Sequence, residues 1–311
     1  MEKIKKIQQN ISKVIIGKDE VVSTLLTGIL CGGHLLVEDV PGVGKTTMVK
    51  ALAKSLGCSF KRIQFTPDLM PSDILGISIF DQRKEEFIYK PGPVMSQVIL
   101  ADEINRTSPK TQASLLEAMA EKQVTVDGTT YPLPRPFHVI ATQNPVEYEG
   151  TFPLPEAQLD RFIMRVNIGY PGYDDEKKVL QLMPGGELPP DFSAVINPEE
   201  LLKMQMEIDN VYLANQLEGY IVRLTHATRN HPEILLGVSP RGGQYLFRAA
   251  KALAYIEGSE HVLPDHVKYL VEAVFAHRLI LKPEAHLKGK MANDILEEIL
   301  LATKVPVIFD D

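Results

Sequence analysis

The sequence predicts an α/β fold: a three-layer domain built on a parallel sheet, followed by an all-helical domain. First, the apolar segment 34–38 leads into a glycine-rich turn, a Lys-Thr pair and a helix, which is the layout of a phosphate-binding loop. Second, the apolar segments 98–103 and 137–144 both end in polar residues, as buried parallel strands do at a ligand-binding sheet edge. Third, beyond residue 190 the apolar residues recur with helical spacing.

Length and composition are those of a globular protein with two domains. The chain has 311 residues, of which 44% are hydrophobic and 23% are charged. The segment 184–190 is rich in proline and glycine and is the best candidate for a linker. We therefore expect the sheet domain at residues 1–188 and a helical lid domain at residues 189–311.

Charge and cysteine usage narrow the class of protein. The formal charge is −7 without any run of basic residues, which argues against nucleic acid as the main partner. The two cysteines, Cys31 and Cys58, have no zinc-ligand spacing and fit a reducing compartment. The longest apolar run, 21–36, is interrupted and falls short of the roughly 20 residues that span a membrane. We expect a cytoplasmic protein without a membrane span.

Two helices are predicted before the phosphate-binding loop. The first covers 4–15 by its apolar spacing, and the second runs to about residue 30 with Asp19 and Glu20 in its first turn. In nucleotide-binding folds the segment before such a helix often lines the adenine, so Ile16 and Gly17 are candidate base contacts. The alternative is a helix N-terminus that only packs on the sheet.

The candidate phosphate-binding residues are Pro41, Gly42, Val43, Gly44, Lys45, Thr46 and Thr47. Backbone N–H groups at the start of the helix would face a phosphate, Lys45 would reach the β- and γ-phosphates, and Thr46 would hold Mg²⁺. The ligands implied are ATP and Mg²⁺. Asp39 occupies a position where the strict pattern has glycine, and its carboxylate is unfavourable near phosphates unless it points away. The alternative is a plain glycine-rich turn with an exposed lysine.

A strand at 60–66 is followed by two short alternating runs, 77–80 and 87–89, which predict a hairpin with the charged tip 81–86. We expect this hairpin to contact a partner or substrate; the alternative is a solvated charged loop. A second hairpin is predicted over 122–131, because Asp127-Gly128 is a type I′ turn pair.

The strand 98–103 delivers two carboxylates to the carboxyl edge of the sheet. Asp102 would bind Mg²⁺ mostly through water, and Glu103 would orient and polarise the attacking water. Asn144, at the tip of the strand 137–144, would hydrogen-bond the γ-phosphate or that water. The alternatives are that Asp102 caps the turn before a helix at 109–121, and that Asn144 with Pro145 forms only a turn.

Two arginines complete the candidate site. Arg161 precedes the strand 163–168; alone it suggests a salt bridge to Asp160 or Glu156, and in this context a finger that stabilises a transferring phosphoryl group. Arg241 lies in the first turn of a helix that begins with Ser239-Pro240. A cation there opposes the helix dipole, so another interaction must favour it, a nucleotide or a local carboxylate. Further helices are predicted at 174–183, 198–208, 212–229, 240–257, 264–281 and 290–303.

Five segments together resemble the MoxR family of AAA+ ATPases. They are Val-Pro-Gly-Val-Gly-Lys-Thr at 40–46, Ala-Asp-Glu-Ile-Asn-Arg at 101–106, Ala-Thr-Gln-Asn-Pro at 141–145, Leu-Pro-Glu-Ala-Gln-Leu-Asp-Arg-Phe at 154–162 and Ser-Pro-Arg at 239–241. The resemblance implies that Asp102 and Glu103 are the Walker B pair, Asn144 is sensor 1, Arg161 reaches a neighbouring subunit and Arg241 is sensor 2. It identifies the two hairpins as the helix-2 insert and the pre-sensor-1 hairpin.

The same resemblance implies a function and partners. We expect ATP hydrolysis in a homo-hexameric ring that remodels, matures or assembles partner proteins, including proteins with a von Willebrand factor A domain. One alternative is a nucleotide-regulated scaffold in which turnover is incidental. Another is a DNA-acting motor, against which the acidic charge balance argues.

Overall fold

The computed structural model describes residues 2–40, 42–144, 150–181 and 187–306. The strands are β1 His34–Glu38, β2 Phe60–Gln64, β3 Gly76–Asp81, β4 Glu86–Pro91, β5 Val98–Asp102, β6 Gln123–Val126, β7 Thr129–Pro132, β8 His138–Gln143, β9 Phe162–Val166, β10 Ile234–Leu236 and β11 Ile280–Leu281. The helices are α1 Glu2–Ser12, α2 Asp19–Leu30, α3 Lys45–Ser55, α4 Pro71–Leu75, α5 Pro109–Glu121, α6 Glu156–Leu159, α7 Tyr173–Val179, α8 Pro198–Glu207, α9 Asn215–Asn230, α10 Pro240–Glu257, α11 Pro264–Phe275, α12 Pro283–Leu287 and α13 Ala292–Ala302.

The centre of the molecule is a five-stranded sheet with the order β2-β5-β8-β1-β9. All four strand pairs in it are parallel. The carboxyl ends of β1, β5 and β8 therefore lie at one edge, and the segments that leave them carry the predicted phosphate loop, the two carboxylates and Asn144. This arrangement confirms the predicted parallel α/β sheet.

Both faces of the three central strands, β5, β8 and β1, are buried, which explains why these strands are largely apolar rather than alternating, whereas the edge strand β2 keeps exposed polar residues. In β5, Val98 and Leu100 pack into one core while Ile99 and Ala101 pack into the other, because successive side chains point to opposite faces. The first core contains α1, α2 and α3, and the second contains α5. Helices on both faces give the three layers that the sequence predicted.

The C-terminal region is largely helical, whereas the sequence predicted an all-helical domain. Its core is continuous with the first face of the sheet domain, because α10 packs on α2 and α11 packs on β9. The structure adds an antiparallel pair, β10 with β11, in which Ile234 faces Leu281. The predicted helix 264–281 consequently ends at Phe275, followed by one 3₁₀ turn and β11. The placement of the domain boundary near residue 188 stays a prediction, since residues 182–186 lie outside the described part of the chain.

Both predicted hairpins are present. β3 pairs with β4 and β6 pairs with β7, each antiparallel. Phe80 and Phe87 are exposed near the tip of the first hairpin, with their ring centroids 5.3 Å apart. The stacked rings of Tyr89 and Tyr131, 4.1 Å apart, join the two hairpins. Within the described ranges, no helix is long and apolar enough to cross a membrane.

Candidate active site

The phosphate loop connects β1 to α3 and depends on two glycines. Gly42 and Gly44 have φ of +88° and +86°, a region that side chains with a Cβ rarely enter. Gly44 is the N-cap of α3, and its side-chain-free backbone leaves the first N–H groups of the helix open toward the loop. A helix N-terminus of this kind attracts an anion through its unpaired N–H groups and its dipole.

Lys45 opens α3 at the base of this loop. Its Nζ donates a hydrogen bond to the backbone oxygen of Asp39 at 2.6 Å. Burial lowers the pKa of Lys45, while the carboxylates of Asp39, Asp102 and Glu103 act in the opposite direction. The charged form of this partly buried lysine would be further stabilised by the negative charge of a bound polyphosphate.

Asp39 is turned away from the loop that it precedes. Its Oδ2 accepts hydrogen bonds from the backbone N–H groups of Ile168 and Gly169, at 2.7 and 2.6 Å, and its Oδ1 accepts one from Val40 at 2.8 Å. The carboxylate is thus occupied by the turn that follows β9. The expected conflict between this carboxylate and bound phosphates is resolved by its orientation.

Asp102 ends β5 with both carboxylate oxygens engaged. Thr142 Oγ1 donates to its Oδ1 at 2.6 Å, and Arg62 donates to its Oδ2 from Nε and Nη2, at 3.0 and 2.6 Å. Asp102 is only 8% exposed, so the carboxylate has lost most of its water. A magnesium ion near Asp102 would therefore compete with Arg62 for the negative charge of this carboxylate.

Glu103 follows Asp102 with φ of +57°, which is uncommon outside glycine and indicates a backbone held by its surroundings. Its N–H donates to Thr142 Oγ1 at 2.8 Å. Its Oε2 accepts hydrogen bonds from Gln64 Nε2 at 2.8 Å and from Arg106 Nη1 at 3.0 Å. The carboxylate that would orient water is thus held from β2 on one side and from its own turn on the other.

These groups surround one cavity of about 490 Å³. Its wall combines N–H groups, one lysine and one arginine, which suit phosphate, with two hydroxyls and two carboxylates, which suit Mg²⁺. The residues are therefore chemically suited to a magnesium–nucleotide complex. The lining residues are Gly42, Gly44, Lys45, Thr46, Thr47, Arg62, Gln64, Asp102, Glu103 and Asn144.

Other predicted site residues lie elsewhere in the described structure. Val43 is half-buried against the first core, and Pro41 falls outside the described residues. Ile16 and Gly17 are in the turn between α1 and α2 and do not line the cavity. Arg241 is exposed in the first turn of α10, also outside the cavity wall.

Arg161 also stands apart from the cavity of its own chain. Its Nη1 donates to the backbone oxygen of Leu116 in α5 at 2.7 Å. The neighbouring Asp160 is instead bonded to Arg278 Nε at 2.8 Å and to the hydroxyl of Ser239. The short segment 160–161 therefore connects the sheet domain with α10 and the end of α11.

Sequence reasoning missed Arg62, Gln64 and Thr142. A signal for the first two exists, because they are polar residues at alternate positions at the carboxyl end of β2, next to β5. Thr142 gave no signal of its own, because its hydroxyl is significant only beside Asp102.

The parallel sheet, the glycine-rich loop opening a helix with Lys-Thr, and two carboxylates at the same sheet edge define a P-loop nucleotide-binding protein. Residues 34–164 match the sequence model of the ATPase family associated with various cellular activities, AAA, and residues 226–299 match that of the AAA lid domain.

Similar proteins extend the match to nearly the whole chain. It is 41% identical to the chaperone MoxR1 of Mycobacterium tuberculosis over 94% of this chain and 78% of that protein. It is 32% identical to the protein MoxR of Paracoccus denitrificans, over 94% of this chain and 93% of that protein. It is 51% identical to YeaC of Bacillus subtilis, over 96% of this chain and 93% of that protein. The crystal structure of a protein from Cytophaga hutchinsonii superposes with a TM-score of 0.91 at 42% identity, covering 98% and 96%. The chain belongs to the MoxR family of AAA ATPases, as the sequence motifs indicated.

Proposed function

We propose that this AAA ATPase couples Mg²⁺-dependent ATP hydrolysis to the remodelling, maturation or assembly of partner proteins. One observation carries the catalytic part of the proposal: the phosphate loop, both carboxylates and Asn144 converge on a single cavity. The relative named chaperone MoxR1 supports the part that concerns partners. We expect the protein to work in the cytoplasm.

The residues of the cavity divide the chemistry among them. The N–H groups at the start of α3 and Lys45 would bind the phosphates, while Thr46 and Asp102 would hold Mg²⁺, the latter through water. The ion supplies neutralisation of the phosphate charge. Glu103 would orient the attacking water, and Asn144 would hydrogen-bond the γ-phosphate or that water. Little covalent chemistry is required, because phosphoryl transfer is catalysed mainly by positioning and by charge.

The remaining site residues are assigned to other parts of the nucleotide complex. Ile16 and Gly17 would contact the base, and Arg241 would reach the nucleotide from the lid. Arg161 lies outside the cavity of its own chain, which supports a role in the site of a neighbouring subunit. We therefore propose a homo-hexameric ring in which each active site is completed by the next subunit.

The exposed hairpin β3–β4 is the proposed contact with partner proteins. Phe80 and Phe87 are 53% and 74% exposed, although large apolar side chains normally gain from burial. Its tip carries charges of both signs, Asp81, Arg83, Lys84, Glu85 and Glu86, which suit a polar rim around an apolar centre. Proteins with a von Willebrand factor A domain are the partners we propose.

ATP turnover measured against protein concentration, with light scattering for size, tests the shared site. We expect specific activity to rise as a six-subunit species forms, and adding a partner with a von Willebrand factor A domain to change kcat. Lys45→Ala should weaken nucleotide binding and serves as the negative control. Flat activity in a monomer that binds ATP would contradict the ring and favour a nucleotide-regulated scaffold.

A further inference from the structure

Asp39 is the one departure of this chain from the strict phosphate-loop pattern, and the catalytic roles above leave it without a task. Every polar group of Asp39 is nevertheless hydrogen-bonded. Its carboxylate accepts from the N–H groups of Val40, Ile168 and Gly169, at 2.6 to 2.8 Å. Its own N–H donates to the oxygen of Gln143 at 3.3 Å, and its backbone oxygen accepts from Lys45.

These contacts join the start of the phosphate loop to the turn 168–170 after β9. A glycine at position 39 could not make these contacts, because it has no side-chain acceptor to offer. Hydrogen bonds between a charged carboxylate and backbone N–H groups are short and are stronger than neutral ones. Asp39 thus stabilises a contact between two segments separated by 129 residues in sequence.

The turn 168–170 also contacts the segment that carries the candidate base contacts. Lys18 Nζ donates to the backbone oxygen of Tyr170 at 2.8 Å. Beside Lys18, Gly17 approaches α7 so closely that a Cβ there would lie 2.0 Å from Asp175 Oδ2. A continuous set of contacts therefore runs from the phosphate loop through Asp39 and the turn to residues 16–18.

We propose that Asp39 is a positioning residue that sets the distance between the phosphate-binding and base-binding ends of the nucleotide site. The inference rests on the proposed function, since it takes residues 16–17 as the base-binding end. Asp39 is held by backbone N–H groups and is absent from the described wall of the cavity, so its carboxylate faces the segment 168–169 rather than the phosphate site, although its charge still acts on Lys45. The ligand that benefits is an adenine nucleotide, which occupies both ends, rather than a polyphosphate alone.

Two possible roles for Asp39 predict opposite changes in ATP affinity when the residue is replaced. If its carboxylate mainly repelled phosphate, then Asp39→Gly, which restores the strict pattern, and Asp39→Asn, which removes the charge, would both tighten ATP binding. If it positions the two ends, both variants should weaken ATP binding. Asparagine has one acceptor oxygen in place of two, so its side-chain oxygen would accept either from Val40 N–H or from the N–H groups of 168–169.

The experiment compares ATP with inorganic tripolyphosphate, which lacks the base, in competition against a fluorescent nucleotide on the full chain. We expect Asp39→Gly to raise the Kd for ATP about tenfold or more, and the Kd for tripolyphosphate less than about threefold. In turnover assays KM should rise in parallel while kcat at saturating ATP stays within about a factor of two. Asp39→Asn should show the same pattern at smaller amplitude.

Glu38→Gln is the matched control. It removes a carboxylate one residue away that pairs with Arg165 at 3.0 Å and not with the turn, so both Kd values should stay near wild type. Tighter or unchanged ATP binding in Asp39→Gly would overturn the proposal. An equal loss for ATP and tripolyphosphate would also overturn it, because it would show a local effect on the loop. If the wild type binds no ATP, the proposed function itself fails. If the wild type and Asp39→Gly bind ATP equally and Lys45→Ala loses binding, only the role of Asp39 fails.

Discussion

Asp102 meets two cations, the arginine that it already contacts and the magnesium ion that it is proposed to help hold. Arg62 donates twice to Oδ2, and the side chain of Arg62 is 47% exposed. Asp102 is buried, but the guanidinium is half exposed and is screened by water, so we expect the pair to contribute about 1 kcal/mol. The arginine is therefore a modest competitor for the carboxylate, and we expect it to tune how readily the proposed site accepts Mg²⁺.

Replacing Arg62 should change the requirement for magnesium. We expect Arg62→Ala to lower the Mg²⁺ concentration that gives half-maximal ATP turnover, by at most about fivefold, because the Asp102 carboxylate loses a competing cation. The measurement is a Mg²⁺ titration at fixed ATP. Lys61→Ala, an exposed cation next to it on β2, is the control and should leave the titration unchanged. A higher Mg²⁺ requirement in Arg62→Ala would contradict competition and indicate that Arg62 helps to bind the phosphates.

At the scale of elements, two buried histidines hold the first residues of β1 and β8 in place. His34 Nδ1 accepts from the N–H of Val139 at 3.0 Å, and His138 Nδ1 bonds the oxygen of Gly33 at 2.9 Å. The Nε2 atom of each ring is hydrogen-bonded to a helix: that of His34 to the backbone oxygen of Met119 in α5, and that of His138 to the side chain of Gln205 in α8. The two rings thus lie in a cross-strand network that requires them to be neutral.

Burial lowers the pKa of His34 to about 3 and that of His138 to about 4, with a smaller contribution to the former from His138. In the unfolded chain both would bind protons below about pH 6.5. The folded state then binds fewer protons, so the free energy of unfolding should fall as the pH drops from 6.5 toward 4. The full effect is about 1.4 kcal/mol per pH unit for each histidine.

Urea unfolding at pH 7, 6 and 5 would measure this loss. His34→Gln should lower stability at pH 7 but flatten the dependence on pH, because one of the titrating groups is gone. His286→Gln changes an exposed histidine and should leave the slope as in wild type. A slope that does not change in His34→Gln would show that the acid sensitivity arises elsewhere.

On the scale of the whole molecule, the junction between the two regions depends on a buried arginine. The side chain of Arg278 is 2% exposed and donates to Asp160 Oδ1 at 2.8 Å and to the backbone oxygen of Phe162 at 2.5 Å. Asp160 also accepts from the hydroxyl of Ser239, the N-cap of α10. One carboxylate thus joins the segment before β9 to α10 and to the end of α11.

Removing that carboxylate should leave a buried cation without its counter-charge. We expect Asp160→Asn to lower the free energy of unfolding by about 3 kcal/mol or more, measured by urea denaturation at pH 7. Ser239→Ala should cost only about 1 kcal/mol, as for other helix N-caps. Asp209→Asn breaks an exposed pair with Arg248 at 3.5 Å and should have almost no effect. A similar small loss in Asp160→Asn would contradict a structural role for the pair.

The assembly itself is tested at Arg161. Its contact with the backbone oxygen of Leu116 is a single hydrogen bond, so Arg161→Ala should fold and bind ATP nearly as wild type. Turnover should fall by about 10³-fold or more, since an arginine finger is worth roughly that in related mechanisms. Arg135→Ala, at an exposed arginine outside the site, is the control.

Mixing two inactive variants tests whether the arginine acts between subunits. Arg161→Ala keeps an intact phosphate loop, and Lys45→Ala keeps an intact Arg161. A mixture of the two should recover part of the lost ATP turnover if Arg161 completes the site of a neighbour. No recovery in mixed particles, or unchanged turnover in Arg161→Ala alone, would contradict this arrangement.

The sequence by itself determined the elements of the fold and the centre of the site. Burial on both faces makes β1, β5 and β8 continuously apolar, and this pattern is local in sequence. The loop 41–47 is equally local, because its glycines, lysine and threonine are consecutive. The two hairpins and the capped helix α10 were also predicted from local signals: alternating runs for the first hairpin, a turn pair for the second and an N-cap for the helix.

Only the tertiary structure decided which distant residues meet. The strand order places β2 beside β5, which brings Arg62 to Asp102, and the packing of α11 on β9 brings Arg278 to Asp160. The two-residue strand β11 is likewise stabilised by its partner β10 and has too short a pattern of its own. These contacts join segments that are far apart in the chain, so their energies depend on the assembled sheet and core and leave no local pattern in the sequence.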